Sequence, residues 1–109
     1  MLYKTTGYIA VFIAAASYKQ AKKIGFALVS QRLVACINIV RGIDSVFRWR
    51  GKLDNAKEVL LICKTKASCF SKIVKIVKKN HSYEVPEIIS LPIIAGNKDY
   101  LKWIDESVG

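Results

Sequence analysis

The chain has a single histidine, two prolines and one methionine, and none of its three cysteines forms a C-x-x-C pair. A structural or catalytic metal cage draws on three or four clustered nitrogen and sulfur donors, and no short stretch of this sequence supplies them. There is no glycine-rich phosphate loop and no G-x-S-x-G, and His81 has no second histidine beside it. The common nucleotide-handling and hydrolytic motifs are therefore unfilled, and the expectation is a protein without enzymatic activity. Acidic residues are also scarce, eight against 18 basic ones, for a net charge of +10. No apolar run reaches membrane-spanning length.

Cys36, Cys63 and Cys69 are odd in number, which fits reduced thiols in a cytoplasmic protein better than a disulfide framework. Lys4, the apolar Tyr8–Ile13 and the small residues Ala14 to Ser17 have the outline of a secretory leader. Its positive region is one lysine besides the terminus, however, and helix-start chemistry follows at once at Ser17, so the stretch reads as a strand entering a helix.

Apolar residues make up 52% of the 109 residues. That is one domain, residues 1–109, with more apolar surface than a small interior can absorb, so part of it is expected against another chain. The positive balance raises nucleic acid or an anionic surface as partners. Lys72, Lys75, Lys78 and Lys79 recur at helical spacing and read as the solvated face of an amphipathic helix, with no specific nucleic acid and no membrane as partner.

Tyr8–Ala16 is continuously apolar, as a central strand covered on both faces should be. Ser17 with Gln20 has the form of a capping box, and Ala21, Ile24 and Leu28 then recur at helical spacing to a helix end near Arg32. Leu33–Val40 is β-branched and apolar, Arg41-Gly42 interrupts it as a bulge, and alternation resumes. Ile43, Ser45, Phe47 and Trp49 fall on one face and Asp44, Val46, Arg48 and Arg50 on the other. Gly51 to Asn55 reads as a turn and Glu58–Lys66 as the returning strand. Ser68 is placed to cap a second helix with the stripe Phe70, Ile73, Val74 and Val77, stopped at Asn80 in a left-handed conformation. Glu87–Ile94 is a fourth strand, put at an edge by Pro92, and a short helix follows Gly96-Asn97.

This order is an α+β, ferredoxin-like βαββαβ arrangement with a C-terminal helix and a long β2–β3 hairpin. Extended at ~3.3 Å per residue, Leu33 to Trp49 would reach ~55 Å, against a radius of gyration of only ~13 Å for a globule of this size. The hairpin must overhang its own domain, the returning strand is too short to pair with all of it, and another copy is expected to take up the free edge. An RNA-recognition module shares the strand order, but it stacks bases on aromatic residues of its central strands, and EVLLICKTK carries none.

The stretches LVACINIVRGIDSVFRWRGKL, EVLLICKTK, HSYEVPEIISLPI and YLKWIDES resemble, in this order and spacing, the CutA divalent-cation tolerance proteins. The likeness covers Tyr8 to Ser107. It implies a cytosolic homotrimer of ferredoxin-like subunits, PII-like in architecture, with long hairpins joining neighbours. It also implies binding of copper or another divalent cation, and no enzymatic activity. Cys36 matches the cysteine of the family's A-C-[VI]-N stretch, Ser45, Trp49, Gly51 and Lys52 its hairpin motif, and Lys64 and Thr65 its K-T pair. His81, Tyr83, Glu84, Val85, Pro86 and Glu87 match its H-P-Y-E-V-P-E stretch. Arg41, Phe47 and Ser82 depart from it, standing where the family often has proline, tyrosine and proline.

The metal-ligand candidates are thus Cys36, His81 and Glu84. Cys36 is the soft donor, although a cysteine on an apolar strand is more often a small core residue. His81 and Glu84, three apart in a turn, come within reach of one ion, although His81 could simply end the second helix. Cys36 and His81 belong to opposite ends of one sheet, so a site containing both must span subunits. Phe47, Trp49, Lys64 and Tyr83 are the cleft and interface candidates, with Trp49 as an anchor. The alternative reading is a PII-like signalling module that binds a small anion in an intersubunit cleft, with Lys64 holding it.

Overall fold

A computed structural model describes residues 6–109. The strands β1 (Tyr8–Ala15), β2 (Cys36–Trp49), β3 (Lys52–Lys66) and β4 (Ile88–Pro92) form one sheet in the order β2-β3-β1-β4, with every neighbour antiparallel. The entirely apolar sequence of β1 fits this central place. α1 (Tyr18–Ser30) starts as the sequence indicated. Ser17 Oγ accepts the Gln20 N–H at 3.1 Å, and Gln20 Oε1 reaches back to the Ala16 N–H at 2.9 Å, one residue upstream of the usual box.

β2 (Cys36–Trp49) and β3 (Lys52–Lys66) form one long hairpin, with the bulge between Val40 and Ile43 and Gly42 at φ 75°. The turn is tighter than expected. Arg50 and Gly51, at φ 52° and 78°, make a two-residue connection with both central residues left-handed, the form that suits strand twist. Lys52, Asp54 and Asn55 looked like turn residues because they are polar, but they lie on a ribbon exposed on both faces and are strand. The returning strand is therefore not short: it pairs with β2 to the tip, Trp49 opposite Lys52. What overhangs is the whole ribbon. β1 stops opposite Val59, so Ile43–Trp49 and Lys52–Glu58 pair only with each other, over ~23 Å of strand. The outer edge of β2 is unpaired along its length among the described residues.

A 3₁₀ turn (Ala67–Cys69) leads into α2 (Phe70–Asn80), and no side chain caps it; Ser68 lies inside the turn. Asn80 does end α2, but by donating from Nδ2 to the Ile76 carbonyl at 2.8 Å, not by turning left-handed. β4 is short (Ile88–Pro92) and at the sheet edge, as Pro92 requires. α3 (Lys98–Ser107) is capped by Asn97, whose Oδ1 accepts from Asp99 N–H at 2.8 Å.

The core lies on one side of the sheet. Val11, Ile13, Leu61 and Cys63 meet Ile24 and Leu28 of α1 and Ile73 and Val77 of α2, all fully buried. α3 covers one end of the opposite face. Asp105 there accepts the Tyr8 hydroxyl and pairs with Lys66 at 2.9 Å. The rest of that face is apolar and open: Phe12 pairs with Ile62 and Ile89, while Val40, Ile89 and Leu91 are 39%, 50% and 42% exposed. This is the uncovered apolar area that composition led one to expect.

Candidate functional site

Alternation along β2 points Ser45, Phe47 and Trp49 to one face of the protruding hairpin, and the register sets Ala56, Asp54 and Lys52 opposite them. Across from this face runs the loop between α2 and β4. Together they bound a cleft of 760 Å³ lined by Phe47, Trp49, Asp54, Glu58, Tyr83, Glu84 and Glu87 among others. His81 fixes the loop. Its Nδ1 accepts the Tyr83 N–H at 3.0 Å, so the ring proton sits on Nε2, which donates to the Ala14 carbonyl at 2.7 Å. Both ring nitrogens are thereby used, and an ion would have to displace one of these bonds. The His81 and Tyr83 rings lie 4.7 Å apart, and Gln20 Nε2 donates to Ser82 Oγ at 2.9 Å. Arg50, at the hairpin tip, pairs with Glu84 at 3.2 Å and so bridges tip to loop, both side chains being 73% exposed.

The cleft has an unusual charge for this chain. Four of the eight carboxylates, Asp54, Glu58, Glu84 and Glu87, line it, and no lysine or arginine does. Glu58 is 9% exposed and makes no ion pair among the described residues. Tyr83 lies next to it. Burial, and then the neighbouring Glu58 carboxylate, push the Tyr83 hydroxyl up to about 12, since a phenolate there would be both desolvated and repelled.

A second polar group lies at the far end of the open sheet face. Cys36 pairs in register with Lys64, whose Nζ donates to Asn38 Oδ1. The Tyr100 hydroxyl of α3 adjoins Cys36, and burial first and the thiol second raise its pKa. Lys64 is level with Ala10 of β1, whereas His81 is anchored to Ala14, four residues or ~13 Å along the strand.

Residues 9–107 match the family model of the CutA1 divalent ion tolerance protein. The chain belongs to this CutA1 family. It is 46% identical over 99 residues to the divalent-cation tolerance protein CutA of Thermus thermophilus, covering 91% of this chain and 96% of that one. It is 41% identical over 104 residues to the chloroplastic protein CutA of Arabidopsis thaliana, covering 95% of this chain and 57% of that longer one. A solved structure of the divalent cation tolerance protein from Thermus thermophilus superposes with a TM-score of 0.92 at 44% identity, covering 94% of this chain and 99% of that one.

The CutA motif residues do not gather at one point. Phe47, Trp49, Tyr83 and Glu84 come together at the cleft. His81 stands behind it as the loop anchor, and Lys64 and Cys36 belong to the other cluster. Among the described residues no three His, Cys, Asp or Glu side chains converge to hold an ion. Asp54 and Glu58 went unrecognised as site residues. The signal was present in the alternation of Asp54, Ala56 and Glu58, once that stretch is read as strand and not as turn.

Proposed function

We propose that this CutA1-family chain acts as a cytoplasmic, homotrimeric divalent-cation tolerance protein without enzymatic activity, and that the cleft between hairpin and loop is where cations collect. The observation that carries this reading is the charge of the cleft: four of the chain's eight Asp and Glu side chains line it, on a protein of net +10, and among the described residues only Glu84 of the four is ion-paired, to Arg50 at the rim. Such a cavity concentrates cations against the field of the rest of the surface. Carboxylates supply hard oxygen donors, with Glu58 and Glu84 the central ones, while Cys36 and His81 offer copper softer and separate positions. One subunit's cleft is an incomplete donor set, and a neighbour seated on the apolar sheet face would bring a second set of side chains toward it. The PII-like alternative, a small anion held by Lys64 in an intersubunit cleft, belongs to the Cys36–Lys64 cluster, since the four carboxylates of this cleft would repel an anion.

The test is a titration of Cu(I), Cu(II), Zn(II) and Mn(II) into the wild type and into Glu58→Gln, Glu84→Gln, Cys36→Ser and His81→Ala, with stoichiometry per subunit. Loss of affinity in the glutamate variants supports the cleft. Unchanged affinity in both, with loss only in Cys36→Ser, transfers the cation to the thiol cluster and sinks the cleft assignment.

A further inference from the structure

The two helices that cover the core present a charged surface that the cleft does not use. α1 carries Lys19, Lys22 and Lys23, α2 carries Lys72, Lys75, Lys78 and Lys79, and neither helix contains an Asp or Glu. None of these seven lysines makes an ion pair among the described residues, where the only three pairs involve Arg50, Lys57 and Lys66. The helix dipole rationalises Lys78 and Lys79 in the last turn of α2. It does not rationalise Lys19 and Lys72, which stand in the first turns of their helices, where a positive charge is disfavoured. Among α1's lysines projects an apolar side chain: Phe26 is 70% exposed, and Val29, three residues on, is 44% exposed.

We infer that the α1–α2 layer, whose α2 lysines in sequence read only as a solvated face with no membrane partner, is a docking surface for an anionic phospholipid membrane. Lysines spread over a helical layer, with an apolar residue between them, are the elements of interfacial attachment: the charges meet lipid headgroups and the ring enters the headgroup boundary. A nucleic acid fits less well. Neither helix contributes an arginine to fork onto phosphates or base edges, and Arg41, at the edge of the layer, is laid against the Tyr18 ring. The layer's one other exposed aromatic, Tyr18, has its ring covered by Arg41 at 4.1 Å and Lys22 at 5.5 Å, so it offers no free stacking plane. The exposed Val29 would likewise gain nothing from a phosphate backbone. No helix among the described residues is long and apolar enough to cross a bilayer, so attachment is peripheral. The layer lies on the side of the sheet opposite the open apolar face, and assembly through that face leaves it accessible.

The experiment is flotation of the full chain with phosphatidylcholine vesicles, with and without phosphatidylserine, at low and at several-fold higher salt. Binding is expected only to the anionic vesicles, falling with salt. Lys75→Gln combined with Lys79→Gln should lower partitioning about thirtyfold, at roughly fivefold per lysine near an anionic surface. Phe26→Ser should lower it roughly tenfold, chiefly in the component that survives salt. Lys98→Gln with Lys102→Gln, on α3, removes the same net charge elsewhere and should leave binding within a factor of two or so of wild type. Equal loss in that control would assign binding to net charge and overturn the surface. Binding to double-stranded or single-stranded nucleic acid with none to anionic vesicles would overturn the lipid partner.

Discussion

His81 illustrates how far a single side chain can be read without its surroundings. Its spacing to Glu84 offered an imidazole and a carboxylate to one ion, yet Glu84 pairs with Arg50 while both imidazole nitrogens serve the backbone of Tyr83 and Ala14. Spacing does not reveal which acceptors a loop brings to a ring. His81→Ala removes two hydrogen bonds that hold the cleft wall, and should lower stability by about 1–3 kcal/mol in urea unfolding. Cys63 is different again. It is fully buried, and desolvation pushes its thiol up to about 12 against the lowering effect of Lys64. At mildly alkaline pH a thiol reagent should leave Cys63 unmodified in the native protein and reach it only on unfolding, as mass spectrometry of digests would record. Asp105 is held below the ordinary carboxylate value by the Tyr8 hydroxyl and then by Lys66. A depressed folded pKa gives stability that is present above the unfolded value and is lost as pH falls through the folded one. Acid titration of the melting temperature should therefore show a loss below about pH 4 that Asp105→Asn lacks, the variant being already less stable at neutral pH.

At the level of elements, most of the architecture was legible, and the reason is patterning. The unbroken apolar run of β1, the capping side chains Ser17 and Asn97 and the 3.6-residue stripe of α2 are each signals that the local structure answers directly. The misreadings came where no buried face imposes a period. Gly51 to Asn55 has the composition of a turn, although Lys52 to Asn55 are strand in this solvent-facing ribbon. The actual turn rests on Arg50 and Gly51, both left-handed. Gly51→Ala places a Cβ on a residue at φ 78° and should cost about 1–2 kcal/mol, seen as a lower melting temperature with unchanged circular dichroism. The cleft was half legible for the same reason. Phe47, Trp49, Tyr83 and Glu84 lay in recognisable motifs, whereas Asp54 and Glu58 emerged only with the hairpin register.

For the whole molecule, the apolar excess of the composition has a location, the sheet face around Phe12, Ile62 and Ile89, and the proposed trimer is the state that would cover it. Light scattering should give three subunits at micromolar concentration, and a monomer there would remove the basis for assembly. Trp49→Asp, at a site 40% exposed in the single chain, should shift the population toward smaller species if the tryptophan anchors a neighbour. The distal ribbon has one further consequence. Its backbone bonds are made within the ribbon alone, so in an isolated subunit its amides should open without waiting for the core to unfold. Subunit contact would close that route. Deuterium uptake between Ile43 and Glu58 is thus a gauge of quaternary engagement, able to time assembly and disassembly in the same solution where the core amides stay silent.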